Sequence, residues 1–338
     1  GKMLKYEVVE MAEYDLVGIG NALVDVLATV DDSFLEAQVL DKGAMTLVDK
    51  DRAAAIYDKM PPAQEVSGGS CGNTMAGFAS LGGKGAFIGK VRDDQLGNVF
   101  RHDMQAIGVD FATPAASDGP ATGSCLVLIT PDAQRTMCTN LGAATHLGPG
   151  DIDKNVIQAA KVVYMEGYLF DPPEAQEAFV EAADAAHDAG RKVALTLSDP
   201  FCVDRHRHSF QMLVQDHTDI LFGNEEEIKS LYQVDDFDKA LHHVRGHCEI
   251  ACLTRSSKGS VVLSGEEVHI IAARPLDKVV DTTGAGDQYA AGFLYGYTQG
   301  MDLRRSGEIA TLTASEIISH VGARPEVNLA ELVARELG

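Results

Sequence analysis

A chain of 338 residues, 45% hydrophobic and 23% charged, has the composition of an ordinary globular protein large enough for a sizeable core. Its formal net charge of −22 opposes nonspecific attachment to nucleic acid or an anionic membrane, yet leaves room for a nucleotide held by local donors. No apolar run reaches the ~18 residues that suggest a membrane span.

The opening Gly1-Lys2-Met3-Leu4-Lys5-Tyr6 has no signal-peptide core, so the expected location is cytoplasmic by default; Gly1 reads as a cloning remnant or a processed terminus. Leu16-Val17-Gly18-Ile19-Gly20 reads as a short apolar strand ending in glycines. The stretch from Gly18 to Asp25 begins like a dinucleotide fingerprint but lacks the third glycine. Asp25 falls in a segment of alternating character, as a solvated strand residue or as an acceptor for a hydroxyl. Residues 53–60, 73–81 and 95–107 have helical composition. Gly68-Gly69-Ser70-Cys71-Gly72-Asn73 precedes the second of these. Its glycines would let backbone approach a ligand, with Asn73 serving hydroxyls; the other reading is a tight loop capped by Asn73.

Residues 124–129 are a strand candidate, and beyond them the pattern becomes regular. Strands are expected at 162–165, 193–197, 220–222 and 250–254. Helices are expected from Pro172-Pro173 to 189, and at 225–232 and 237–244. Alternation of this kind predicts a parallel sheet with helices on both faces, in one main domain. A hairpin over 260–271 with a Ser264-Gly265 turn adds antiparallel strands. Asn224 and Glu227 share a helix face, either organising Mg²⁺-bound water or forming a capping box. His242, His243, His247, Cys248 and Cys252, even with His206 and His208, match no zinc spacing. They read as surface histidines and core cysteines. The six cysteines, which include Cys71, Cys125, Cys138 and Cys202, form no C-x-x-C pair and read as reduced thiols.

Asp281-Thr282-Thr283-Gly284-Ala285-Gly286-Asp287 follows the strand-like Val279-Val280 and precedes a helical run over 288–299. Glycines at a strand-to-helix turn gather free N–H groups and the positive end of a helix dipole, which makes an anion site. Asp287 there is either a base for a hydroxyl that attacks a bound phosphate or a helix cap. There is no Walker A loop, no H-R-D or D-F-G set and no Gly-x-Ser-x-Gly. P-loop kinases and protein kinases are therefore excluded, and an α/β-hydrolase is disfavoured.

These pieces, in this order, resemble the ribokinase (PfkB) family of carbohydrate and nucleoside kinases. The likeness rests on Gly68-Gly69 through Asn73 with downstream Gly97, and on Asp281 to Asp287 continuing through Tyr289-Ala290-Ala291-Gly292. The chain looks most like the adenosine kinase branch in Gly20 to Asp25, Thr122-Gly123-Ser124-Cys125, Leu197-Ser198-Asp199-Pro200-Phe201 and Ile220 to Glu225. The resemblance implies an α/β, ribokinase-like fold: a mostly parallel central sheet with helices on both faces and a small β-sheet lid. The kinase domain would span 15–334, with lid segments at about 23–46 and 111–141.

It implies an ATP- and Mg²⁺-dependent phosphorylation of a primary hydroxyl, with Asp287 as base. The N–H groups of Gly284, Ala285, Gly286 and Asp287 would hold the transferring group, aided by Arg135. Asn21, Asp25, Gly68, Gly69 and Asn73 would hold hydroxyls, with Cys125 and Tyr168 near the base pocket. Asn224, Thr254, Gly259 and Thr283 would border ATP, and Glu227 would reach Mg²⁺ through water. Adenosine is the first substrate expected. A sugar such as ribose, fructose or 2-keto-3-deoxygluconate is the alternative, and a non-catalytic nucleotide-binding regulator is the alternative of another class. Partners would be the small molecule and ATP, without nucleic acid or membrane, in a monomer or homodimer. The sequence departs from the family pattern at Arg92, where glycine is usual, and at Gln288, where a small residue often follows the base. Around Thr46, Cys125 and Tyr168 the expected adenine pocket matches only in part.

Overall fold

Strands that are apolar on both faces must be covered on both, and a parallel sheet between helix layers does this. In the computed structural model, which describes residues 12–338, nine strands form one sheet. Val109–Phe111, Gly85–Ile88, Tyr14–Ile19, Ala160–Glu166, Lys192–Thr196, Ile220–Asn224 and Ile250–Thr254 lie side by side and parallel. Ser260–Ser264 and Glu267–Ile271 extend that edge antiparallel. One face packs against Pro173–Asp188, Arg207–His217 and Glu225–Tyr232, the other against Ser70–Ser80, Ala285–Thr298 and Leu303–Ile318.

A second sheet of five strands runs in the order Met45–Leu47, Arg135–Asn140, Gly123–Ile129, Leu23–Thr29 and Gln64–Gly68. It differs from the expected stretches 23–46 and 111–141 in two respects. Gln64–Gly68 lies outside both, and Phe111 still pairs in the large sheet. Asp25 and Cys125 are register partners on its two longest strands, so their side chains share one face.

The large sheet reverses its winding beside Tyr14–Ile19. The chain leaves that strand toward Gly85–Ile88 on one side and later returns as Ala160–Glu166 on the other. Such a switch point opens a crevice at the carboxyl ends of the strands. Asn21 follows one of these ends, and Glu166 closes the other.

Two local expectations are corrected. Val279 and Val280 are not a strand: both are exposed, and the Val280 N–H donates to the Ile318 carbonyl (2.8 Å). The glycine turn is therefore entered from an extended loop, and its helix begins already at Ala285. The hairpin pairs Ser264 with Glu267, so the turn is Gly265-Glu266. The opening hexapeptide lies outside the described residues. No described helix is long and apolar enough to cross a membrane.

Glu166 is almost wholly buried (1% exposed), and its Oε2 accepts the Asn21 N–H at 2.6 Å. Burial lifts its carboxyl to about 8; the Asn21 and Ser70 N–H groups oppose that rise and the Asp287 charge adds to it. A carboxyl whose folded pKa lies above its unfolded value stabilises most when protonated. Its contribution is lost as pH climbs from the unfolded value near 4.5 through about 8. Glu166→Gln should therefore match the parent protein in urea midpoint near pH 4.5. It should exceed the parent by several kcal/mol above pH 8, at about 1.4 kcal/mol per pKa unit. A gap that stays flat with pH would show that Glu166 does not titrate in this range.

Candidate active site

The glycine turn is closed by its own first residue. Asp281 accepts the Thr283 N–H (2.9 Å) on Oδ1 and the Gly322 N–H (3.3 Å) on Oδ2. Gly284 takes φ +82°, where a Cβ would also lie 3.1 Å from Ala323. The Ala285 N–H is committed to the Thr282 carbonyl (3.2 Å). Those of Gly284, Gly286 and Asp287 have no acceptor among the described residues. A Cβ at Gly286 would meet nothing within 4 Å, so there is open space beside the turn at that residue. The turn is a cradle for an anion.

Asp287 is not the helix cap. Gly284 holds that position, and no side chain caps the helix. Its Oδ1 instead accepts the Ser70 hydroxyl at 2.5 Å, and Thr74 donates to its carbonyl at 3.1 Å. Burial raises the Asp287 carboxyl to about 6, opposed by hydrogen bonds from Ser70 and Asn73.

The paired glycines form the adjoining wall because no side chain fits there. A Cβ at Gly68 would lie 2.4 Å from Asp25 Oδ1, and one at Gly69, at φ +86°, would lie 2.6 Å from the Asn21 carbonyl. The Asp25 carboxylate makes no hydrogen bond to the described residues. Burial lifts it to about 6, and the nearby charges of Arg324 and Arg135 oppose this. Cys125, directly across from it, accepts from the Thr139 hydroxyl (3.4 Å), and its thiol is pushed up to about 12 by burial and by Asp25. Arg135 reaches from the small sheet to the glycine turn, where its Nε lies 3.6 Å from Asp281 Oδ2.

At the far strands, Asn224 and Glu227 form a reciprocal capping box. The Asn224 N–H donates to Glu227 Oε1 (2.9 Å), and the Glu227 N–H donates to Asn224 Oδ1 (2.8 Å). Glu227 is buried and raised to about 7, chiefly by desolvation, with Asp199 and Asp287 adding to the rise. Thr254 ends the neighbouring strand opposite Asn224, and Gly259, at φ +83°, begins the return, where a Cβ would meet the Ile271 carbonyl at 2.0 Å. Thr283 contributes its N–H to the glycine turn. Tyr168 donates to Asp199 Oδ2 at 3.5 Å and lies on the Glu227 side of the crevice. No described contact joins it directly to Cys125. Thr46 is exposed on the outer strand of the small sheet.

The roles of four residues of this region escape sequence reasoning. Ser70 sits inside the first glycine motif and Glu166 follows an expected strand, but each finds its partner, Asp287 or Asn21, only in the fold. Gln288 is fully buried, and its Nε2 donates to the Asn73 (2.8 Å) and Ala323 (3.2 Å) carbonyls. It is accommodated because a Cβ at Gly77 would lie 1.9 Å from its Oε1. Arg324 donates to Asn73 Oδ1 (3.1 Å) and Ser67 Oγ (2.8 Å) from a loop with no local motif. The histidine-rich stretch makes ring contacts. His243 stacks on Tyr232 (centroids 5.3 Å apart), and the Tyr232 hydroxyl lies 2.9 Å from His247 Nδ1.

Comparison with known proteins adds the family. The model of the pfkB family carbohydrate kinases matches residues 44–329. A solved adenosine kinase from Sinorhizobium meliloti is similar with a TM-score of 0.88 and 49% identity, over 97% of this chain and 100% of its own. A probable sugar kinase from Rhizobium etli CFN 42 has the same TM-score at 46% identity, over 96% of this chain and 99% of its own. The adenosine kinase of Saccharomyces cerevisiae is 29% identical over 91% of this chain and 95% of its own length. With most of its length matched and a ribokinase-like pair of sheets around the glycine turn, the chain belongs to the pfkB family of carbohydrate kinases.

Proposed function

We propose that this kinase transfers the γ-phosphoryl group of ATP to the 5′-hydroxyl of adenosine, with Asp287 as general base. The observation that carries the reading is the placement of Asp287. Its carboxylate accepts from Ser70 on the adjoining helix, with Asn73 also lowering its pKa, while its own N–H belongs to the anion cradle. A base and an anion site on one residue suit a hydroxyl that must lose its proton as it meets phosphorus. Asn21, Asp25, Gly68, Gly69 and Asn73 line the neighbouring wall and would orient the sugar hydroxyls. The N–H groups of Gly284, Gly286 and Asp287 would stabilise charge developing on the transferred group, with Arg135 alongside. The small sheet, with segments about 23–46 and 111–141, would close as a lid and exclude water that competes for the phosphoryl group.

Asn224, Thr254, Gly259 and Thr283 would border ATP. Mg²⁺ fits there. Glu227 Oε1 is engaged by the Asn224 N–H, whereas Oε2 has no hydrogen bond to the described residues. No three His, Cys, Asp or Glu side chains among the described residues could hold a metal directly, so contact would run through water, as Mg²⁺ favours. When bound, the ion would neutralise phosphate charge. The six unpaired cysteines suit a reducing, cytoplasmic setting.

Similarity to both an adenosine kinase and a probable sugar kinase keeps a sugar acceptor as the second reading. A panel of adenosine, other nucleosides, ribose, fructose and 2-keto-3-deoxygluconate with ATP and Mg²⁺ should show turnover chiefly with adenosine. Turnover only with a sugar would overturn the acceptor and leave the base assignment in place. A regulator without turnover has no use for the Asp287 carboxylate, and silence across the panel would favour it.

Asp287→Asn keeps an acceptor for Ser70 but cannot take a proton. The phosphoryl-transfer rate should fall by roughly a thousandfold, with ligand affinity held within a few-fold. Because the ionised form is the active one, the parent rate should rise through pH about 6 and level off above it. Survival of activity in the variant would remove Asp287 from its role.

A further inference from the structure

Arg324 presents a guanidinium that neither the anion cradle nor the hydroxyl-binding wall accounts for. Its Nε donates to Asn73 Oδ1 (3.1 Å) and its Nη1 to Ser67 Oγ (2.8 Å). Nη2 is shielded from solvent with no acceptor among the described residues. Ser67 is itself held by its N–H, which donates to Asp103 Oδ2 at 2.7 Å. Desolvation lowers the pKa of Arg324, and the charges of Asp25 and Asp103 oppose that.

An arginine can only donate, so the oxygen of the Asn73 amide must face Arg324 and its NH₂ must face away. The Asn73 side chain also acts on the Asp287 carboxyl and lowers its pKa, while Ser70 donates to the same carboxylate at 2.5 Å. Accepting from a cation polarises the amide and strengthens the donor at its far end. Resting on Asp287 as the base, we infer that Arg324 is a positioning residue that acts on Asp287 through Asn73, fixing the amide's orientation and favouring the ionised base.

The loop that carries Arg324 suits this role. Its Gly322 N–H donates to Asp281 (3.3 Å), and its Ala323 carbonyl accepts from Gln288 (3.2 Å). One short segment therefore bridges both glycine turns. The other titratable groups facing Asp287 are Cys71 from the helix below, Tyr164 and Glu166 from the central strand, Tyr168 after it, and Glu227 across the crevice. Every one is an acid, so none favours a negative charge on Asp287.

The test is the pH dependence of the single-turnover phosphoryl-transfer rate, using whichever acceptor of the panel turns over. In Arg324→Met the acid limb should move upward by about half a pH unit or more. The plateau rate should fall roughly tenfold. Arg324→Lys keeps the charge without the paired donors and should recover only part of the shift. Arg324→Met combined with Asn73→Ala should shift the limb no further than Asn73→Ala alone, as expected for one path. An unmoved limb in folded Arg324→Met, or shifts that add, would overturn the inference. If Arg324→Met does not fold, Ser67→Ala loosens the same guanidinium and should give a smaller upward shift; an unmoved limb there would also overturn it. A parent profile with no limb near pH 6 would instead count against Asp287 as the base.

Discussion

Keeping carboxyl groups usable in a place that excludes water is the constraint on which the site depends. Asp25, Glu166, Glu227 and Asp287 are all desolvated, and burial raises all four. Desolvation works against the charge of each, and at Glu166 and Glu227 the charge of Asp287 adds to it. The fold answers with fixed donors: Asn21 N–H for Glu166, Asn224 N–H for Glu227, and the Ser70 hydroxyl for Asp287. Glycine recurs around these groups because a donor on the backbone can come this close only where a side chain is missing. Gly20 shows the limit, since a Cβ there would lie 2.4 Å from Glu166 Oε2.

Two readings that compete in the sequence turn out to have different relations in three dimensions. Asn224 and Glu227 do form the capping box, yet Glu227 is also buried beside Asp199 and near Asp287. Structural and functional use of that pair are compatible. For Asp287 they are not. Its carboxylate is turned toward another helix and leaves its own helix start uncapped. An acid at the third helical position that forgoes its own N–H groups is directed outward, at a cost in local helix stability.

The large sheet was legible because its strands are nearly continuous apolar runs separated by amphipathic helices. Ile250–Thr254, Glu225–Tyr232 and Phe237–Val244 fall where periodicity puts them. Much of the small sheet was not. Arg135–Asn140 and Gln64–Gly68 are polar in composition and gain their strand character only from partners distant in sequence. Val279-Val280 misled for the opposite reason: two β-branched residues have high strand propensity, but no strand lies beside them. In the site, the glycine turns were readable because left-handed backbone leaves few residue choices. Arg324 and Gln288 were not, because their value depends on Asn73, which no local pattern connects to them.

The way the two sheets are threaded sets an order of events during synthesis. Leu23–Thr29 leaves the large sheet immediately after its first strand, yet its parallel partner Gly123–Ile129 emerges about a hundred residues later. Until then, Val24 and Val26 lack the cover that strand provides. Tyr14–Ile19 must wait longer still for Ala160–Glu166 to flank its other edge. The crevice between those two strands is thus one of the later features of the chain to take shape. A nascent chain stalled before the middle of the sequence would carry an open apolar edge on both sheets, the kind of surface that chaperones recognise.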